Sequence, residues 1–165
     1  IQQSQKYSYP YFIMKIILKR YYGDEQVTKS TMLVYMGEAK MPALVCEARE
    51  SAYRKYSEKF AGCSQFCLPE GVELTGRVRA TLYSPMTVAV GRHPHNCKTL
   101  IVGESLHQHS IGKVLIGQGD ACVPPEERML TRQSETAVAF TKLVYEAYAM
   151  CESIALVADN SMLEE

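Results

Sequence analysis

The chain has no surplus of either charge: 18 Lys and Arg stand against 18 Asp and Glu, a formal net charge of zero over 165 residues. A nucleic acid or an anionic membrane surface held by bulk electrostatics is therefore not implied, since both require a basic field. The apolar patch from Tyr11 to Leu18 is broken by Lys15 and falls far short of the roughly 20 apolar residues that cross a bilayer as a helix. No CxxC is present. Cys63 and Cys67 are separated by three residues, which speaks against a thioredoxin-type redox pair and against a zinc knuckle. Internal repeats, low-complexity tracts and linker-like runs are also missing.

What the chain does have is an ordinary globular composition, 47% apolar and 22% charged, with enough apolar residues for a core of its own. Its six cysteines, Cys46, Cys63, Cys67, Cys97, Cys122 and Cys151, are spread through a chain too large to need a disulfide framework. Free thiols in a reducing, cytoplasmic compartment are the expectation. Met14 followed by Lys15 could be an alternative start, and a signal peptide already removed is compatible with the sequence. The expectation is one β-rich domain over 14–160, with 1–13 as an N-terminal extension.

"MKIILKRYY", residues 14–22, is rich in β-branched and aromatic residues and ends at "GDE", the pattern of a strand and a turn. "STMLVYMGEAKMPALVCEA" places two apolar runs around Gly37 to Lys40, which predicts a β-hairpin. "RESAYRKYSEKFAGCSQFC" reads as a short helix or a surface loop, with Gly62 ending the helix. In "LPEGVELTGRVRATLY" the alternation of Val78, Ala80 and Leu82 with Arg77, Arg79 and Thr81 predicts a half-buried strand. "MTVAVG", "TLIVG" and "GKVLIG" predict further short strands.

From "TRQSETAVAFTKLVYEAYAMC" onward the period changes to that of a helix: Ala137, Phe140, Val144, Ala147 and Cys151 share one face. Thr131 or Ser134 is the expected N-cap, and Glu135 suits the positive end of the dipole. "SIALVAD" predicts a last strand and "NSMLEE" a frayed tail.

The chemistry concentrates in one window. All four histidines, His93, His95, His107 and His109, lie there as two His-x-His pairs, with Cys97 extending the first. Residues i and i+2 of a strand point the same way, so two such pairs on adjacent strands could surround a zinc ion. Pro94 breaks that geometry in the first pair, and loop residues flanking strands are the plainer reading. Cys97 lies closest to these histidines and is the thiol placed to act as a nucleophile; Cys46 and Cys151 sit in apolar patterns and read as core. A nucleotide P-loop fails on two counts: Val114 follows Gly112 and Lys113, and His107 stands where the leading glycine belongs. The carboxylates of "GDE", "PEER" and "LEE" read as solvated turns and tail, and the tyrosines from Tyr7 to Tyr22 as strand filling.

Six segments, "KIILKR", "STMLVYMGEAKMPALVCE", "CLPEGVELTGRV", "LIVGESLHQHSIGKVLIG", "LTRQSETAVAFTKL" and "SIALVAD", resemble in order a family of small uncharacterised bacterial and phage domains. That family carries a signature of the form "IHxGNxxxDTxGCxLVG", and the resemblance spans Lys15 to Asp159. Its histidine and cysteine are similar to the thiol site of L,D-transpeptidases, which cross-link peptidoglycan. Carried over by position, the histidine falls at or near Val102 and the cysteine at Lys113. Both chemical groups are replaced here, while Gly112, Leu115 and Gly117 keep the backbone pattern. A lysine serves as acyl carrier only when strong desolvation lowers its pKa, and nothing in the local sequence indicates that.

The sequence therefore predicts a β-rich α+β domain, a single antiparallel twisted sheet of about seven strands or a partly closed barrel, with one helix from Ser134 to Cys151 packed on it. The leading functional expectation is a non-catalytic binding or structural domain of bacterial or phage origin, related to the cell wall or to an assembly, with a protein or glycan partner. The alternatives are a cysteine-dependent transpeptidase-like or amidase-like enzyme drawing on His107, His109, Lys113 and Cys97, and a zinc protein using His93, His95, Cys97, His107 and His109. No cofactor other than that zinc is implied.

Overall fold

The computed structural model describes residues 13–51, 71, 74–77, 82–83, 87–92, 99–103, 113–149 and 153–163. The first three strands form a meander: β1 (Ile13–Gly23), β2 (Thr28–Met36) and β3 (Leu44–Glu50), paired antiparallel with Ile17 opposite Leu33 and Leu33 opposite Val45. Alternation fixes their faces. Met14, Ile16 and Leu18 are buried while Lys15 and Lys19 are exposed, so a shift of one residue would turn the apolar set to solvent. Asp24 organises the first turn by accepting the amides of Gln26 (2.7 Å) and Val27 (2.9 Å). Gly37, at φ 62°, supplies the left-handed residue of the second, a conformation glycine adopts without a Cβ penalty.

Beyond these follow β4 (Leu74–Arg77), β5 (Leu82–Tyr83), β6 (Thr87–Arg92), β7 (Thr99–Gly103), β8 (Lys113–Gly117) and β9 (Ser153–Asp159), with the helix α1 (Gln133–Ala149) before the last. The strands lie in one sheet in the order β4-β9-β1-β2-β3-β8-β7-β6-β5. The architecture is β-rich α+β with a single open sheet and its helix in the C-terminal half. The sheet is mixed where the sequence suggested antiparallel pairing throughout: β9 runs parallel to β1 and β7 parallel to β8. Side-chain alternation marks a strand but carries no information on the direction of its neighbour, and both parallel contacts join strands that are not linked by a tight turn. The sheet curls until Cα atoms of β4 and β6 come within 8 Å, yet no ladder joins them among the described residues.

The core fills the concave side. Ile16, Leu18, Met32, Val34, Ala48, Ile116 and Leu156 meet Phe140, Val144 and Ala147 of α1, so four of the five residues expected on the helix's apolar face are buried there. The fifth, Cys151, lies outside the described residues. So do residues 52–70 and 78–81, where the short helix or loop and the Val78-Ala80 alternation were expected.

The start of α1 departs from the expected cap. Arg132, at φ 49°, offers the carbonyl that accepts the Thr136 amide at 3.1 Å and the Thr136 hydroxyl at 2.8 Å. Thr131 is held elsewhere: its amide and carbonyl exchange hydrogen bonds of 2.8 and 2.7 Å with Gln118, closing 118–131 into a loop with joined ends. Past Asp159 the chain makes a turn, where Ser161 donates its amide to the Asp159 carboxylate at 2.8 Å; the last two residues of the expected tail lie outside the described residues.

Candidate functional site

Two clusters of buried charge lie on opposite faces of the β1-β2-β3 meander. On the core side, the alternation that buries Met14, Ile16 and Leu18 reaches Arg20, and the one that buries Cys46 and Ala48 reaches Glu50. Arg20 and Glu50 are 0% and 2% exposed and form a two-pronged ion pair, Nε to Oε1 at 3.0 Å and Nη2 to Oε2 at 2.8 Å. Arg20 also donates to the Asn160 side-chain carbonyl at 3.2 Å. Beside them Thr28 donates its hydroxyl to the Ser51 carbonyl at 2.8 Å. A buried pair repays the desolvation of its ions only through good geometry and added hydrogen bonds, and here the two-pronged contact and the Asn160 acceptor supply them.

On the other face, the loop 118–131 is strapped down by cations. Lys29 Nζ donates to the carbonyls of Pro125 (2.7 Å), Glu126 (3.1 Å) and Arg128 (3.0 Å), and Arg49 donates to the Arg128 carbonyl at 2.9 Å. Burial, reinforced by the nearby Arg49 and Arg128 charges, holds the Lys29 ammonium below the usual lysine pKa. Arg128 stacks 4.9 Å above the Tyr21 ring, lies 3.6 Å from Glu47 Oε1 and donates to the Val123 carbonyl at 2.9 Å. The Tyr21 hydroxyl donates to Glu47 Oε1 at 2.6 Å; burial first and then that bond raise its pKa. Where the loop crosses Glu47 a Cβ on Gly119 would lie 2.6 Å from Glu47 Cγ, so a larger residue there would push the Glu47 side chain aside.

Near the same loop, an open groove of about 440 Å³ runs between Leu44, the Gln118–Asp120 segment and the first turns of α1, with Thr131, Arg132 and Glu135 on its walls. Arg132 and Glu135 are mostly exposed and 3.8 Å apart, a surface pairing that contributes little.

The residues singled out for chemistry fall as follows. His93, His95, Cys97, His107 and His109 lie outside the described residues. Among the described residues no group of three or more His, Cys, Asp or Glu is placed to hold a metal ion. Lys113 opens β8 opposite Ile101, and Val102 pairs with Val114. Positions 102 and 113, where the sequence led us to expect the signature's histidine and cysteine to fall, are therefore one step out of register on neighbouring strands. Strand alternation assigns them to opposite faces of the sheet. Cys46 is a core thiol whose burial, with the Glu47 charge adding, pushes it up to about 12; Cys122 is exposed on the loop. The Cys46 thiol, so raised, is inert as a nucleophile at neutral pH.

Arg20 and Glu50 carry no motif, yet a signal is there: each continues a strand's buried alternation with a charged residue; Lys29 falls on the opposite face of β2 and has no such signal. No family model, no curated protein and no solved structure matches the chain.

Proposed function

We propose that this chain is a non-catalytic binding or structural domain of a bacterial or phage protein, working at the cell wall or in an assembly. The observation that carries the reading is the β7-β8 register, which sets positions 102 and 113 on opposite faces, together with lysine at the second of them. A thiol-imidazole pair needs both groups within hydrogen-bond reach on one side of the sheet. Further support comes from the charged clusters. Arg20 and Glu50 neutralise each other inside the core, while Lys29, Arg49 and Arg128 hold backbone carbonyls of a loop. These are the tasks of structural residues.

The test is labelling of the native chain with a thiol-reactive probe at mildly acidic pH, with peptide mapping of the adducts. All six cysteines should react no faster than a free cysteine in an unstructured peptide. One cysteine reacting far faster than the rest would identify a low-pKa nucleophile and overturn the reading in favour of a cysteine-dependent enzyme.

A further inference from the structure

The two cations beneath the loop 118–131 are neighbours in the sheet. Lys29 of β2 stands opposite Arg49 of β3, and each is only 7% exposed. Like charges directly opposite one another on paired strands repel, and among the described residues neither cation has a carboxylate within ion-pair distance. Asp24 and Glu47 pull on the Lys29 charge from farther away, while burial first and then the Arg49 charge hold its pKa below the usual lysine value. What the two cations do touch is neutral. The Arg128 carbonyl oxygen sits between them, 3.0 Å from Lys29 Nζ and 2.9 Å from Arg49 Nη2, and Pro125 and Glu126 offer further carbonyls to the ammonium.

An oxygen wedged between an ammonium and a guanidinium at these distances stands where an anion's oxygen would be held. A carbonyl brings only a partial charge to that place, whereas a hydrogen bond with both partners ionised is stronger. Two facing cations without an ion pair suit a group of about two negative charges, as a phosphate monoester is at neutral pH. The cover over them is also of a kind that gives way. No residue from Gln118 to Thr131 is buried, so this strap is held by polar bonds rather than by apolar packing, the condition under which a segment opens without global unfolding. It is acidic as well: 119–127 carries Asp120, Glu126 and Glu127 and no cation, which suits a segment resting on a basic pair.

The geometry points to a phosphate-binding site at Lys29 and Arg49, closed by the strap, whose Arg128 carbonyl holds the place that a phosphate oxygen takes when the strap lifts. The inference names a ligand class for the binding-domain reading and rests on it. By linkage, phosphate and strap opening favour each other: phosphate loosens the strap, and a looser strap raises the affinity for phosphate.

The probe is inorganic phosphate at neutral pH and fixed ionic strength, titrated into the isotopically labelled chain and followed by NMR and amide exchange, with acetate as the control. Phosphate should shift the Lys29 and Arg49 side-chain resonances saturably and quicken exchange through residues 121–128. R49M, checked for folding by its β1-β2 amide protection, should bind phosphate about tenfold or more weakly, since one of two charged contacts is gone. Gly117→Ala, which loosens the strap and keeps both cations, should bind it more tightly than the native chain. The same titration with O-phosphoserine separates the sources: tighter binding than inorganic phosphate assigns the site to a monoester, weaker binding to the free ion, and both support it. Strap protection that rises or stays constant at saturating phosphate, shifts confined to other surfaces, an equal response to acetate, or native affinity in R49M would each overturn the inference. Should Gly117→Ala not fold, exchange in the native chain and the affinity of R49M decide. An overturned site with no fast-labelling cysteine leaves the non-catalytic reading standing; a fast-labelling cysteine defeats that reading whatever phosphate does.

Discussion

Arg20 and Glu50 show how much depends on single side chains in this fold. With both ions sealed in the core, truncating one strands the other, a loss of about 3–5 kcal/mol for a buried pair. Glu50→Ala should therefore destabilise the chain by that order in urea unfolding. Replacing both, as R20M/E50M, should be much milder, since it strands no charge. Asp24 gives a pH signature. Its burial works to raise the carboxyl pKa, but the Gln26 and Val27 amides, the Tyr22 hydroxyl and Lys29 outweigh it and hold the group below 3.8. A depressed acid contributes stability that is present above its unfolded value and lost as pH falls through its folded value. NMR titration should thus show the Gln26 and Val27 amides moving together with a midpoint below 3.8, and Asp24→Asn should abolish that transition. At this scale sequence reading worked for apolar residues and failed for charged ones. Alternation identifies Met14 and Ile16 as buried by their chemistry, whereas Arg20 and Glu50 are buried only because each has the other, a partnership 30 residues apart.

At the scale of elements, the loop 118–131 is held both by its own turns, Val123 to Asp120 and Glu127 to Pro124, and by Lys29 and Arg49 of the sheet. Gly117 sits where a Cβ would lie 2.7 Å from the Thr131 carbonyl oxygen, a backbone atom that cannot swing aside. Gly117→Ala should break the Gln118-Thr131 bridge and destabilise by about 1–3 kcal/mol, as overpacking does, with faster amide exchange at Thr131. Lys29→Met should leave the stem's apolar packing largely in place while removing the Lys29 donor from the Pro125 and Glu126 carbonyls and leaving the Arg128 carbonyl to Arg49. Amide exchange should then quicken through residues 121–128, with the β1-β2 ladder unchanged. The helix and most strands were legible because their periods are local. The cap was not, because Thr131 is diverted to a partner 13 residues away, and Arg132 takes its place in a left-handed conformation.

For the whole molecule, pattern and length sufficed for a β-rich sheet bearing one C-terminal-half helix. The order of the strands did not follow, since the β1-β9 ladder joins residues about 140 apart in sequence, as Ile13 with Ser153, and pairing at that range is decided by the packed whole. That order brings β7 beside β8 in parallel and fixes the register of positions 102 and 113, on which the proposed non-catalytic reading rests. The account stands on this register, and oxidative trapping of engineered cysteine pairs tests it. Bridging requires Cα atoms about 4.4–6.8 Å apart with Cβ atoms turned toward one another. I101C/K113C should form its disulfide, mapped by mass spectrometry, and V102C/K113C should not. A ready V102C/K113C bridge, with none in I101C/K113C, would place both signature positions on one face, contradict the register, and return the thiol-enzyme geometry to this sheet.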